Sequence, residues 1–119
     1  MRYMLLIYTD PNNRPDPGGP EAAAEMPRWF AYTEELQRSG ALLGGEPLHD
    51  VADATTVRVR GGETITTDGP FAETKETLGG YYMIDVDTLD EAIDWAAKMP
   101  HIDYGTVEVR PIMELPDQG

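Results

Sequence analysis

The side chains best placed to do chemistry fall in one stretch, Asp68-Gly69-Pro70-Phe71-Ala72-Glu73-Thr74-Lys75-Glu76. A lysine set between carboxylates couples their titrations to its own, and coupled, shifted groups of this kind are what acid–base catalysis draws on. Asp-Gly followed by Pro presets a tight backbone, and Gly69, preceding proline, is expected to be extended. Phe71 is expected to pin the loop to the core, leaving Glu73, Lys75 and Glu76 on a fixed scaffold. Asp68 has two readings, a general acid or base and a turn-capping residue that accepts backbone N–H bonds. Glu73, Lys75 and Glu76 likewise either hold a polar ligand or form surface ion pairs worth ~0–1 kcal/mol each.

Other candidates are sparser. His49-Asp50 is an adjacent His–acid pair, but neighbours on an extended segment point apart, so a surface loop is the expectation. Arg58, Arg60, Glu108 and Arg110 either pair across strands or bind an anion between sheets. Tyr81 and Tyr82 read as core or interface, with a hydroxyl available to a pocket. No His-x-His, His-Glu-x-x-His or calcium-loop pattern occurs, so no metal site is read. Gly61-Gly62 and Gly79-Gly80 bracket strands rather than open helices, so no nucleotide loop and no cofactor is read.

The elements that must carry these groups follow from period and punctuation. Arg2 to Thr9 reads as a strand, ended by Asp10-Pro11-Asn12-Asn13, and Asn12 to Pro20 as a surface loop. A helix from about Glu21 to Ser39 places Met26, Trp29, Phe30, Thr33 and Leu36 on one face, with Gly40 as C-terminal cap. Pro27 is expected either to start the helix proper or, the preferred reading, to join a separate Glu21–Met26 turn to it by a kink. Ala41 to Leu48 reads as a short strand with a bulge or close approach at Gly44-Gly45. Thr55–Arg60 and Glu63–Thr67 alternate around Gly61-Gly62 as a hairpin, and Gly79 to Asp87 reads as a strand. Thr88 with Glu91 forms a capping box before a helix that buries Leu89, Ala92, Ile93 and Ala96. Tyr104 to Met113 is the last strand. The order β-α-β-β-β-β-α-β is a ferredoxin-like split β-α-β with an added hairpin, an α+β fold in one domain spanning residues 1–119.

Two helices cover one face of such a sheet, yet the first strand is apolar on both faces: Tyr3, Leu5 and Ile7 against Met4, Leu6 and Tyr8. The Tyr81–Val86 strand repeats the pattern, and strands of this kind are normally buried on both sides. Either the Asp10–Pro20 loop folds over that face within the monomer or a second copy packs sheet to sheet, and since the loop is too polar a cover, a homodimer is expected.

Composition limits the partners. At 119 residues there is room for one core, and 40% hydrophobic with 26% charged residues is an ordinary globular balance. The absence of cysteine removes disulfides and thiolate chemistry. Nine basic residues stand against 22 acidic ones, a net charge of −13, so nucleic acid and anionic membranes are not expected partners. The charge serves solubility or a basic protein partner. No apolar run approaches ~20 residues and the N-terminal one is too short for a secretory signal, so a cytoplasmic location is expected.

Asp68-Gly69-Pro70-Phe71, Glu73-Thr74-Lys75-Glu76 and Gly79-Gly80-Tyr81-Tyr82 together resemble the signature of DGPF proteins in the YCII-related family. The start Arg2 to Tyr8, Gly44-Gly45-Glu46, Thr55 to Arg60, Glu91-Ala92, Trp95-Ala96 and Gly105 to Pro111 match as well. The resemblance implies a dimeric α+β barrel, and the Asp68–Glu76 loop adds the expectation of a pocket near the dimer interface that binds a small polar ligand or supports weak acid–base catalysis. Catalytic candidates are then Asp68, Glu73 and Lys75, and ligand-binding candidates Glu46, Asp68, Phe71, Glu73, Lys75, Glu76 and Tyr81. Some relatives are thought to use a His–Asp pair, and neither His49 nor His101 fits that motif. The resemblance also suggests an association with an extracytoplasmic-function sigma factor as an alternative, regulatory role.

Overall fold

The computed structural model describes residues 1–116. Its elements are β1 (Arg2–Thr9), α1 (Pro20–Arg38), β2 (Leu42–Pro47), β3 (Thr55–Arg60), β4 (Glu63–Asp68), β5 (Thr77–Asp85), α2 (Leu89–Ala97) and β6 (Thr106–Pro111), with a single 3-10 turn at Val51–Asp53. Four strands form an antiparallel sheet in the order β2-β5-β1-β6, and β3 and β4 form a separate two-stranded sheet. Without the hairpin this is the ferredoxin-like order, so the mixed α+β architecture expected from sequence is present.

Register assigns the faces. Leu5 lies opposite Tyr82 and Val109, and Ile7 opposite Val107, so these residues share the helix-covered face. Tyr3, Leu5, Ile84 and Val86 are buried there with Tyr32, Leu36, Ala92 and Met99 from the helical side. On the other face Met4 pairs with Met83 and Leu6 with Tyr81, and this row is half-buried, with no element among the described residues packed over it. Two glycines mark irregularities. Leu42 and Gly44 straddle a bulge in the β2–β5 pairing, and a Cβ on Gly45 would stand 2.6 Å from the Tyr81 carbonyl oxygen. Only glycine lets β2 run that close to β5.

Local chemistry accounts for the element ends. Thr88 Oγ1 accepts from the Glu91 amide at 3.2 Å, as a capping box requires. Gly40 adopts φ +82° after α1, and Gly61 and Gly62 adopt φ +60° and +82°, the paired positive values of a type I′ hairpin turn.

Several sequence expectations are corrected. α1 is one helix through Pro27, with no break. The Trp29 indole donates to Glu25 Oε2 at 3.1 Å, an i,i+4 bond that spans the proline and helps hold the turn it weakens. Of the apolar stripe assigned to α1, Leu36 is buried, whereas Met26 and Phe30 are exposed and Tyr32 takes a core position. In α2, Ala92 and Ala96 are buried while Leu89 and Ile93 stand about half in solvent. Gly69 takes φ +98° rather than the extended value expected before proline.

The β3–β4 hairpin stands apart from the core. Every residue of β4 is exposed, and the radius of gyration, 16.6 Å, exceeds the roughly 13 Å of a compact chain of this length. Phe71 follows the hairpin outward and is 73% exposed, so it does not pin the loop to the core. Its ring carries the Arg58 guanidinium at 5.1 Å instead. Among the described residues no helix is long and apolar enough to cross a membrane.

Candidate functional site

The apolar stripe of α1 that fails to enter the core has another destination. Met26, Trp29, Phe30 and Thr33 face a cavity of about 800 Å³ between α1 and the sheet. Its floor is formed by the strand segments Gly45–Pro47 and Gly79–Tyr82, and its rim is the Asp10–Pro20 loop with Leu48–Val51. Phe30 is 70% exposed because it borders this opening rather than packed protein.

A polar and aromatic cluster closes one end. The Tyr104 hydroxyl lies 2.6 and 2.8 Å from the two oxygens of Glu25, to which the Trp29 indole also donates. His101 is 1% exposed, stacks on Trp29 with ring centroids 5.4 Å apart, and meets Tyr104 edge-on at 6.1 Å. Gly105 makes room for that ring, since a Cβ there would sit 2.2 Å from His101 Cδ2. His101 Nε2 lies 3.4 Å from the Thr106 carbonyl oxygen, which can only accept, so Nε2 carries the proton and Nδ1 is the bare nitrogen.

The electrostatics follow from burial. Burial lowers the His101 pKa from its ordinary 6.5, so the ring is neutral at pH 7. Burial and the bond to Glu25 raise the Tyr104 hydroxyl above the usual phenol range, with the charges of Arg14 and Arg28 opposing, so it remains a donor. Burial likewise raises Tyr32, whose hydroxyl donates to the Trp95 carbonyl at 2.8 Å. Tyr82 shares a 2.6 Å hydrogen bond with Thr33 across the cavity wall. Among the described residues no three His, Asp or Glu side chains converge as a metal site would need.

The residues singled out from sequence are dispersed. Glu46 and Tyr81 border the cavity, but their mutual pairing and the Tyr81–Leu6 pairing put both side chains on the uncovered face, so the cavity meets their backbone. Lys75 and Glu76 border a shallow depression with Tyr8, Thr106 and Glu108, where Glu76 accepts from the Thr106 hydroxyl at 2.9 Å. Asp68 ends β4 opposite Thr55, and Asp68, Phe71 and Glu73 are all exposed. The turn after Asp68 is tied down by the Gly69 amide donating to the Ala54 carbonyl and the Thr56 hydroxyl donating to that of Gly69. His49 pairs with Asp53 at 3.4 Å rather than with Asp50, whose Oδ1 caps the 3-10 turn through the Ala52 amide. Arg110 pairs with Glu108 two residues away on its own strand, so the expected cross-strand pair is an along-strand one.

Glu25, Trp29, His101, Tyr104 and Arg14 were missed as site residues. A partial signal exists: Glu25 and Trp29 are spaced i,i+4 and His101 and Tyr104 i,i+3, each pair on one side of a turn. Nothing local says that the two pairs meet.

Comparison with known proteins places the chain. A YCII-related domain model matches residues 1–116. An uncharacterised protein of Rhizobium meliloti (strain 1021) is 38% identical over 114 residues, covering 94% of this chain and 92% of its own. The chain belongs to the YCII-related family. Among solved structures it is similar to a 5-chloro-2-hydroxyhydroquinone dehydrochlorinase from Burkholderia phenoliruptrix in complex with 2,5-dihydroxybenzoquinone, at 15% identity and a TM-score of 0.54, over 95% of this chain and 94% of that one. That likeness concerns the fold.

Proposed function

We propose that this YCII-related protein binds a small, ring-bearing polar molecule in the cavity between α1 and the sheet, and that the groups around Glu25 support acid–base chemistry on it. The observation that carries this reading is the cavity itself. Its volume of about 800 Å³ lies within the roughly 300–1,000 Å³ of small-molecule sites, which are mainly apolar with a few placed polar groups. Trp29, Phe30 and Tyr82 supply flat walls, and the bonded Glu25–Tyr104 pair supplies a carboxylate and a hydroxyl at one end. The similar fold of a dehydrochlorinase holding a dihydroxybenzoquinone is compatible with a ring-shaped ligand and with catalysis. The relatives found add no support to a sigma-factor partnership, and it is not carried forward.

The uncovered sheet face supports a sheet-to-sheet homodimer that closes an α+β barrel. Met4, Leu6, Tyr81 and Met83 form a continuous half-buried row, which water contacts at a cost unless a partner covers it. Such packing would bring the depression at Lys75 and Glu76 to the interface, which is where the Asp68–Glu76 loop is proposed to act, as a rim between subunits. Sedimentation showing only monomer at micromolar concentration would remove this part, and Met83→Lys is expected to produce that monomer.

Tryptophan fluorescence tests the ligand site. Trp29 borders the cavity and Trp95 does not, so a bound ring is expected to quench emission in the native protein and to leave Trp29→Phe unchanged. A panel of small hydroxylated ring compounds that alters neither emission nor thermal stability would sink the reading.

A further inference from the structure

Most charged side chains around the cavity are answered within the chain. Arg14 reaches Asp50 at 3.6 Å, Arg38 donates to Glu34 at 2.9 Å, and His49 lies 3.4 Å from Asp53. The Glu46 side chain points to the uncovered sheet face. Glu25 is the exception. It borders the cavity, and its carboxylate accepts from two neutral groups, the Tyr104 hydroxyl at 2.6 and 2.8 Å and the Trp29 indole at 3.1 Å. Among the described residues no ion pair within 4 Å includes it. Arg14 and Arg28 act on the Tyr104 hydroxyl through space without pairing with Glu25.

The two neutral donors fix where this charge sits but leave it uncompensated. The phenol and the indole supply one proton each, and a carboxylate has about four acceptor positions, so it can take a further donor. Beside it on α1, Met26 and Phe30 border the same cavity while 56% and 70% exposed, an apolar and aromatic surface one turn from the carboxylate. Aromatic faces attract cations. A chain of net charge −13 also draws cations towards its clefts and repels anions from them.

We propose that the ligand of this cavity is a ring-bearing amine, its ammonium group paired with Glu25 and its ring laid against Met26 and Phe30. This rests on the cavity being a ligand site and adds the charge of the ligand. The ammonium donates to Glu25 alongside Tyr104 and Trp29, so the carboxylate is neutralised while the bonds that position it are kept.

Isothermal titration of the native protein with four probes tests it: tyramine, tyrosol, para-hydroxyphenylacetate and ethanolamine. The first three share a hydroxylated ring and carry a cationic, a neutral and an anionic side group, and the last is an amine without a ring. Tyramine is expected to bind about tenfold tighter than tyrosol, the worth of a charge-assisted hydrogen bond, and the other two more weakly than tyramine. Glu25→Gln keeps an amide oxygen for Tyr104 and Trp29 and is expected to bring tyramine down to the affinity of tyrosol. Phe30→Ala is expected to weaken all three ring probes and to keep their order. Equal binding of tyramine and tyrosol, or tightest binding of para-hydroxyphenylacetate, overturns the charge assignment and leaves the cavity as a site. A preference for tyramine that survives Glu25→Gln overturns the pairing with Glu25, and ethanolamine binding as tightly as tyramine overturns the ring contact. Binding of no ring probe overturns the cavity reading and the assignment with it.

Discussion

Gly105→Ala is the sharpest perturbation of the site that leaves every polar group in place. The added methyl would lie 2.2 Å from His101 Cδ2, 3.0 Å from its Nε2 and 2.8 Å from the Tyr8 carbonyl oxygen, against 3.4–4 Å for ordinary contact. Relief requires the imidazole or the β1 backbone to move by roughly an ångström, and packed interiors resist such shifts. The ring is 1% exposed and backed by Trp29, while Tyr8 is held in the β1–β6 pairing opposite Thr106. Overpacking of this kind costs about 1–3 kcal/mol, or a fall in Tm of roughly 4–15 °C for a domain of this size. Urea unfolding followed by circular dichroism measures it. The same substitution in a His101→Ala background isolates the cause: with the ring gone, most of the cost should vanish, leaving only the contact with Tyr8. Equal stability of Gly105→Ala and the native protein, or an unchanged cost in the double variant, would refute the argument that Gly105 exists to seat His101.

Two further outcomes follow from the same cluster. Tyr104→Phe removes one donor from the Glu25 carboxylate and should lower stability by about 1.5 kcal/mol, the low end for a charge-assisted bond because both groups are partly exposed; a urea midpoint within error of the native value would contradict it. Because burial holds the His101 pKa below 6.5, the unfolded chain takes up that proton first on acidification. Its contribution is complete above pH 6.5, declines as pH falls, and stops declining below the depressed native value. The stability difference between the native protein and His101→Phe, compared at about pH 7.5 and about pH 5.5, should therefore shift against the native protein at the lower pH. A difference constant with pH would show that the ring is not buried neutral.

Much of this fold was readable along the chain because its signals are local. The Gly61-Gly62 turn, the Thr88–Glu91 cap and the doubly apolar β1 each depend on neighbours a few residues away, and each appears where period and turn chemistry put it. The Asp68–Glu76 stretch shows the limit of such signals. Its composition identified the family well, yet Asp68, Phe71 and Glu73 are carried into solvent by a hairpin whose distance from the core no local pattern records. Likewise the stripe on α1 was visible, but whether it would meet core or cavity was not, since a helix face looks the same in sequence whichever it borders.

The sequence alone determined the order of elements, the fold class and the family, since backbone propensity, capping and alternation act over a few residues. Only the tertiary structure decided where chemistry is concentrated. Glu25 and Tyr104 stand 79 positions apart and touch because the β2-β5-β1-β6 order lays the loop before β6 beneath α1. A hydrogen bond needs atoms within about 3 Å, and a separation of that length along the chain carries no trace of it until packing closes the distance.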